Sequence, residues 1–258
     1  MLLLGLTGSI ATGKSTVSSY LSSTHDLPII DADLLARSVV EPGTSGYRQI
    51  LSAFSASTPG LVGIAGGPLN RGVLGKRVFG DSPERVRDRH VLNGIIHPLV
   101  RREIAREVVK AWWSGAWAVV LDVPLLLEAR LESVCGAVVV VGVGEECQLQ
   151  RLMRRDGSTE EEARKRVKSQ WSVEEKVALA KGVFGERAWV VQNEGTVEEL
   201  KLQVDQVVRE IRRGRVGPWR WVWGNPIVGV LLGTWMVALN WWRRRQWEAK
   251  TREGKAKL

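Results

Sequence analysis

Two rhythms of apolar and polar residues run along this chain. Five short runs lack any helical period: Leu2-Leu3-Leu4-Gly5-Leu6, Leu27-Pro28-Ile29-Ile30, Ala118-Val119-Val120-Leu121-Asp122, Ala137-Val138-Val139-Val140-Val141 and Ala188-Trp189-Val190-Val191. They are too brief for helices and have the character of parallel strands buried on both faces. Helical spacing fills the intervals over about Lys14–Ser23, Tyr47–Phe54, Arg71–Phe79, Glu145–Met153 and Thr196–Arg213, and a further helix starts at Thr159, a candidate N-cap. Ser82–Trp113 reads as two helices, the second opening near His97-Pro98 with the proline at an early helical position. Ser55–Gly67, rich in Gly, Ser and Ala, reads as a surface loop. Strands alternating with helices predict an α/β domain around a parallel sheet.

The first strand runs into Gly8-Ser9-Ile10-Ala11-Thr12-Gly13-Lys14-Ser15, which matches G-x-x-x-x-G-K-[ST]. This is the phosphate-binding P-loop, and it makes the expected fold a three-layer P-loop NTPase fold with a central parallel sheet. Gly8 and Gly13 permit the angles that turn backbone N–H groups around a phosphate. Lys14 supplies charge for the β and γ phosphates, the Ser15 hydroxyl is a ligand for Mg²⁺, and a helix from Thr16 onward turns its positive end to the anion. The second strand ends in Asp31-Ala32-Asp33, the third in Asp122. A carboxylate at the carboxyl end of a parallel strand lies on the ligand edge of the sheet. There it takes a proton from a hydroxyl or holds Mg²⁺ through water; Asp31 and Asp33 divide between capping the next helix and reacting. Asp122, closing a hydrophobic strand, has the Walker-B form. Arg151, Arg154 and Arg155 cluster before Asp156-Gly157. Arginines on a helix ahead of a glycine hinge suit a lid over triphosphate, since the guanidinium forks onto phosphate oxygens; an ion-paired surface hairpin is the plainer alternative.

Charge then changes the picture. The chain of 258 residues has a net charge of +9, yet Arg212–Leu258 holds eleven Lys/Arg against two acids, and the rest carries 26 of each sign. A neutral body argues against a nucleic-acid partner and moves the question to the tail. Trp221–Trp242 is 22 residues without a charge, flanked by arginines, and seven of the twelve tryptophans fall between Trp219 and Trp247. At ~1.5 Å per residue that stretch is long enough for a membrane, and Trp clusters with basic flanks have the form of an aromatic belt. The expectation is a transmembrane-like helix, with an interfacial helix or one docked on a protein as alternatives. It would hold the enzyme on the cytosolic face of the mitochondrial outer membrane or endoplasmic reticulum without contributing to chemistry, the alternative being a soluble cytoplasmic protein. Cys135 and Cys147 have no companions at ligand spacing and predict neither disulfide nor zinc.

The order of motifs goes further than the P-loop. LTGSIATGKST, IIDADLLAR followed by VVEPG, LNGIIHPLV, DVPLLLE, QRLMRRDG and QNEG resemble the dephospho-CoA kinase family over about Leu3–Leu200. The resemblance implies transfer of the γ-phosphoryl of ATP to the ribose 3′-hydroxyl of dephospho-CoA, with Mg²⁺. By position, Asp33 would be the base, Arg37 would lie beside the acceptor, and His97 would belong to the acceptor half. Arg151 and Arg155 would sit over ATP, with Gly8, Ala11, Thr12, Gly13, Lys14, Ser15 and Thr16 around its phosphates and Ser15 and Asp122 at the metal. It also implies a small helical acceptor-binding region, about 60–114, and a helical lid, about 145–180, within a kinase domain of residues 1–213. Ser9 and Ala11 stand where many members have glycine, and the tail resembles the appendage of some fungal-type versions. A nucleoside or nucleotide kinase shares the P-loop, acid and lid. A GTPase switch would need N-K-x-D and D-x-x-G motifs, and neither occurs.

Overall fold

The computed structural model describes residues 1–63, 66–214 and 226–256, the side chains of 226–232 and 253–256 excepted. Two compact units emerge, one of Met1–Ile29 with Ala111–Leu258, the other Ile30–Lys110.

The first unit is built on the apolar runs. Strands β1 (Leu2–Gly8), β2 (Ile29–Asp31), β3 (Ala118–Asp122), β4 (Ala137–Gly142) and β5 (Ala188–Gln192) form one sheet in the order β2-β3-β1-β4-β5. β1 pairs in parallel with β3 and β4, in a register that sets Leu6 beside Asp122 and Gly8 beside Val141. One face carries Leu4, Leu6, Val120, Val139 and Val141, packed under Val17 and Leu21 of α1 (Lys14–His25) and under Leu200, Val204 and Val208 of the helix Val197–Arg213. The other face is covered by the helix Val173–Phe184, whose Leu179, Ala180 and Val183 are buried and which packs on β4 and β5. Helix, sheet, helix is the expected three-layer arrangement. Each fully buried Leu or Val stabilises it by roughly 1.5–3 kcal/mol.

The second unit holds α2 (Ala32–Ser38), α3 (Ser45–Phe54), α4 (Arg71–Val78) and most of α5 (Pro83–Trp113), around Ile50, Phe54, Leu61, Leu74 and Val78. Here the expectation of two helices over Ser82–Trp113 is corrected. A single 31-residue helix runs through Pro98, placing His97 in its interior. Pro98 removes the N–H that would bond the carbonyl of Gly94, a loss of one rung. Leu92, Ile95 and Ile96 pack on the unit's core just before it, so burial carries the helix across the gap.

The remaining helices are α6 (Glu145–Asp156), α7 (Glu160–Lys168), α8 (Val173–Phe184), α9 (Val197–Arg213) and α10 (Pro226–Ala256). Thr159, Ser172 and Thr196 each close a capping box, and Gly157 ends α6 in the left-handed region.

The tail differs most from expectation. Among the described residues no helix is long and apolar enough to cross a membrane. Of the expected span, Trp221–Asn225 and the Trp219–Trp223 cluster lie outside the described residues. α10 continues the helix far past Trp242 and docks on its own unit, against α8 and the 3₁₀ turn Leu131–Val134. Its polar side chains explain why. Asn240 and Arg244 are buried, and each bonds backbone carbonyls of the first unit.

Candidate active site

The loop between β1 and α1 is shaped by steric necessity and by neighbours. Gly13 has φ 89° and is the N-cap of α1, and a Cβ there would fall 2.1 Å from the Asn193 amide nitrogen. A Cβ at Gly8 would meet the Val141 carbonyl at 2.8 Å. Ala11 also has positive φ, 60°, a conformation glycine adopts more cheaply.

The loop's carbonyls are drawn outward. Gln148 donates its amide to the Ile10 carbonyl at 2.6 Å and Asn193 to the Thr12 carbonyl at 2.8 Å. Within a trans peptide plane the C=O and the next N–H point in opposite directions, so the amides of Ala11 and Gly13 face away from those side chains. No side chain caps the N-terminus of α1. These two amides lie at the positive end of a helix, an arrangement suited to phosphate oxygens. Ser15 and Thr16 are exposed on its first turn.

Charged side chains gather at the same place. The Lys14 ammonium contacts Oδ1 of Asp122, which is only 4% exposed. Motif lysine and strand-end carboxylate therefore meet at one point although 108 residues separate them. Arg151, on α6, is half-buried and donates to the Asn193 carbonyl at 2.9 Å, one residue link from the loop. Arg155 is exposed and paired with Asp156 at 2.7 Å, which holds the Asp156 carboxyl below its ordinary range. A family model for dephospho-CoA kinase matches residues 2–199.

The chain belongs to the dephospho-CoA kinase family.

Two relatives carry that name. The Saccharomyces cerevisiae dephospho-CoA kinase is 42% identical over 84% of this chain and 85% of its own length. The Geobacillus kaustophilus dephospho-CoA kinase is 44% identical over 81% and 96%. Among solved structures, a Thermus thermophilus protein matches with a TM-score of 0.65 and 30% identity, over 84% of this chain and 98% of that one. A dephospho-CoA kinase from Campylobacter jejuni gives 0.59 and 26%, over 83% and 98%.

The residues expected at the acceptor, Asp33, Arg37 and His97, lie in the second unit. Asp31 is the N-cap of α2, its Oδ1 accepting from the N–H groups of Asp33 at 2.9 Å and Leu34 at 3.0 Å. Asp31 therefore caps α2. Asp33 and Arg37 are exposed and one turn apart on α2, while His97 is exposed on α5.

Several members of the site were not found from sequence. Thr7 and Lys176 both donate to the Pro124 carbonyl, at 2.9 and 3.0 Å, and Lys176 also reaches Glu128 at 2.7 Å. Gln170 accepts from the Ile10 N–H at 2.9 Å, and Ser9 donates to the Trp171 carbonyl at 3.0 Å. Gln148, Gln170 and Asn193 are ordinary amides with no motif of their own; QNEG, which contains Asn193, was the one signal available.

Proposed function

We propose that this protein transfers the γ-phosphoryl of ATP to the ribose 3′-hydroxyl of dephospho-CoA, the last step of coenzyme A synthesis. The observation that carries the reading is the meeting of Lys14 and Asp122 beside the Ala11 and Gly13 amides at the N-terminus of α1, in a chain of this family.

The Ala11 and Gly13 amides and the α1 N-terminus bind the phosphates, and Lys14 supplies charge toward the β and γ groups. Ser15 and Asp122 are donors that fit Mg²⁺: an exposed hydroxyl and one buried carboxylate suffice for a cation that keeps several waters and takes phosphate oxygens. Bound there, the metal supplies neutralisation of phosphate charge. Arg151 and Arg155 extend the same neutralisation from α6. Asp33, which stands at the family's base position, takes the proton of the attacking hydroxyl, while Asp31 caps α2. Arg37 and His97 hold the acceptor. Little covalent work falls to the protein beyond alignment and charge.

The test is a product-mass assay of the full chain with ATP, Mg²⁺ and a panel of dephospho-CoA, nucleosides and nucleotides. A gain of one phosphoryl group on dephospho-CoA alone is the expected result. Preferential phosphorylation of a nucleoside or nucleotide would reject the assignment.

A further inference from the structure

The loop that leaves Asp122 is gripped from two sides, and one of them is the C-terminal helix. From within, Val123 donates to the Leu6 carbonyl, and Thr7 and Lys176 hold the Pro124 carbonyl. From outside, Arg244 of α10 donates to the Leu127 carbonyl at 2.9 Å and pairs with Glu132, which is 1% exposed. Asn240 donates to the carbonyls of Ser133 and Cys135, at 3.2 and 2.9 Å. Glu248 joins Arg130 at 3.1 Å to Arg244 at 2.9 Å. The Trp247 ring lies so close to Gly182 of α8 that a Cβ there would come within 2.2 Å of it. Each of these contacts of α10 falls on Leu127–Cys135 or on α8, whose Lys176 holds the same loop.

The chemistry of the grip is informative. Burial pushes the Glu132 carboxyl above its ordinary range, and the Arg244 charge pulls it back. Two apolar side chains of similar volume would stabilise such a site as well or better than a desolvated ion pair. What the charged version adds is direction: a guanidinium fixes a carbonyl and a carboxylate at set angles, where apolar contacts would let the loop slide.

We propose that α10 is a working part of the phosphoryl-transfer site, with Arg244 a positioning residue that sets, through the Leu127 carbonyl and Glu132, where Asp122 stands for the metal–nucleotide complex. This rests on the reading of Asp122 as the metal-facing carboxylate, and it replaces the expectation that the tail takes no part in the chemistry.

The test uses the full chain as wild type, Arg244→Met, Arg244→Met/Glu132→Met and Gly182→Leu. The double variant removes the buried charges together, and Gly182→Leu displaces Trp247 while leaving the pair's own residues intact. Calorimetry measures affinity for a non-hydrolysable ATP analogue with Mg²⁺ and with EDTA, and thermal melts establish folding. In each folded variant the affinity gained from Mg²⁺ should fall on the order of 3- to 30-fold, the range of coupling carried through a contact network. Affinity in EDTA should stay within about twofold, since the P-loop amides are untouched. Arg244→Met alone is at risk of not folding; the other two variants then decide. Folded variants with the wild-type Mg²⁺ gain would overturn the proposal and reduce α10 to a brace. A wild type that binds Mg²⁺ and the analogue but leaves dephospho-CoA unphosphorylated would count against the acceptor alone, and the Mg²⁺ gain would still report on α10.

Discussion

Asp31 and Asp33, identical side chains two residues apart, are assigned different work in the proposed mechanism. Asp31 caps α2, and under the proposed mechanism removing the Asp33 carboxylate should remove the base. Asp33→Asn is expected to lower turnover by roughly 10²–10⁴-fold with little change in ATP affinity. Steady-state kinetics beside direct ATP binding check this; near-normal turnover would shift the role elsewhere. Lys14 meets Asp122, and the proposed mechanism sets it against charge that moves during transfer, so Lys14→Ala should lose more in turnover than in ATP binding. Equal losses in both would mean uniform binding instead. Lys176 makes a pH prediction. Burial holds its ammonium below the ordinary 10.5, against the pull of Glu128. In the window beneath 10.5 the unfolded chain binds this proton more tightly, so the residue's contribution to stability grows as pH rises through it. Melting curves of wild type and Lys176→Met, taken between roughly pH 7 and 10, should diverge in favour of wild type as pH rises. Parallel curves would refute the assignment.

At the scale of elements, the strands and most helices were legible because their residues obey one rhythm each. Runs such as Ala137–Val141 admit no other reading once Gly and polar turns bound them. Two failures have a common physical origin. α8 was not distinguished because its Lys176 counts as a surface residue in any polar pattern, yet the side chain is fully buried against Pro124 and Glu128. α5 was divided because proline is a local rule, and the packing of Leu92, Ile95 and Ile96 is not local. Pro98→Ala should therefore restore one backbone bond and raise stability, by up to ~3 kcal/mol if nothing else relaxes. Denaturant unfolding measures it, and a destabilised variant would show that the proline serves the helix. In the site, the motif residues were legible by spacing, whereas Gln148, Gln170 and Asn193 are placed by tertiary contacts that no spacing records.

For the whole molecule, the sequence reads the tail's charge and tryptophan as flanks of a lipid layer, while among the described residues no helix is long and apolar enough to cross a membrane. Arg244 is instead one end of a buried pair, and Trp247 packs on Gly182. Leaving Glu132 uncompensated with Arg244→Met should cost about 3–5 kcal/mol, while Arg244→Met/Glu132→Met should melt near wild type. A small effect in the single variant would mean the pair is not closed in solution. One other contact has a use of its own. The Ile10 N–H is held by the side chain of Gln170, in the link between α7 and α8, and by no strand partner. In deuterated water, amides of β1 such as Leu4 and Leu6 should exchange only through global unfolding. The proton of Ile10 should exchange at whatever rate that link lets go, so one slow amide in the phosphate loop becomes a clock for movements 160 residues along the chain. Adding an ATP analogue with Mg²⁺ should slow that clock if the link closes with the nucleotide, and leave β1 unchanged.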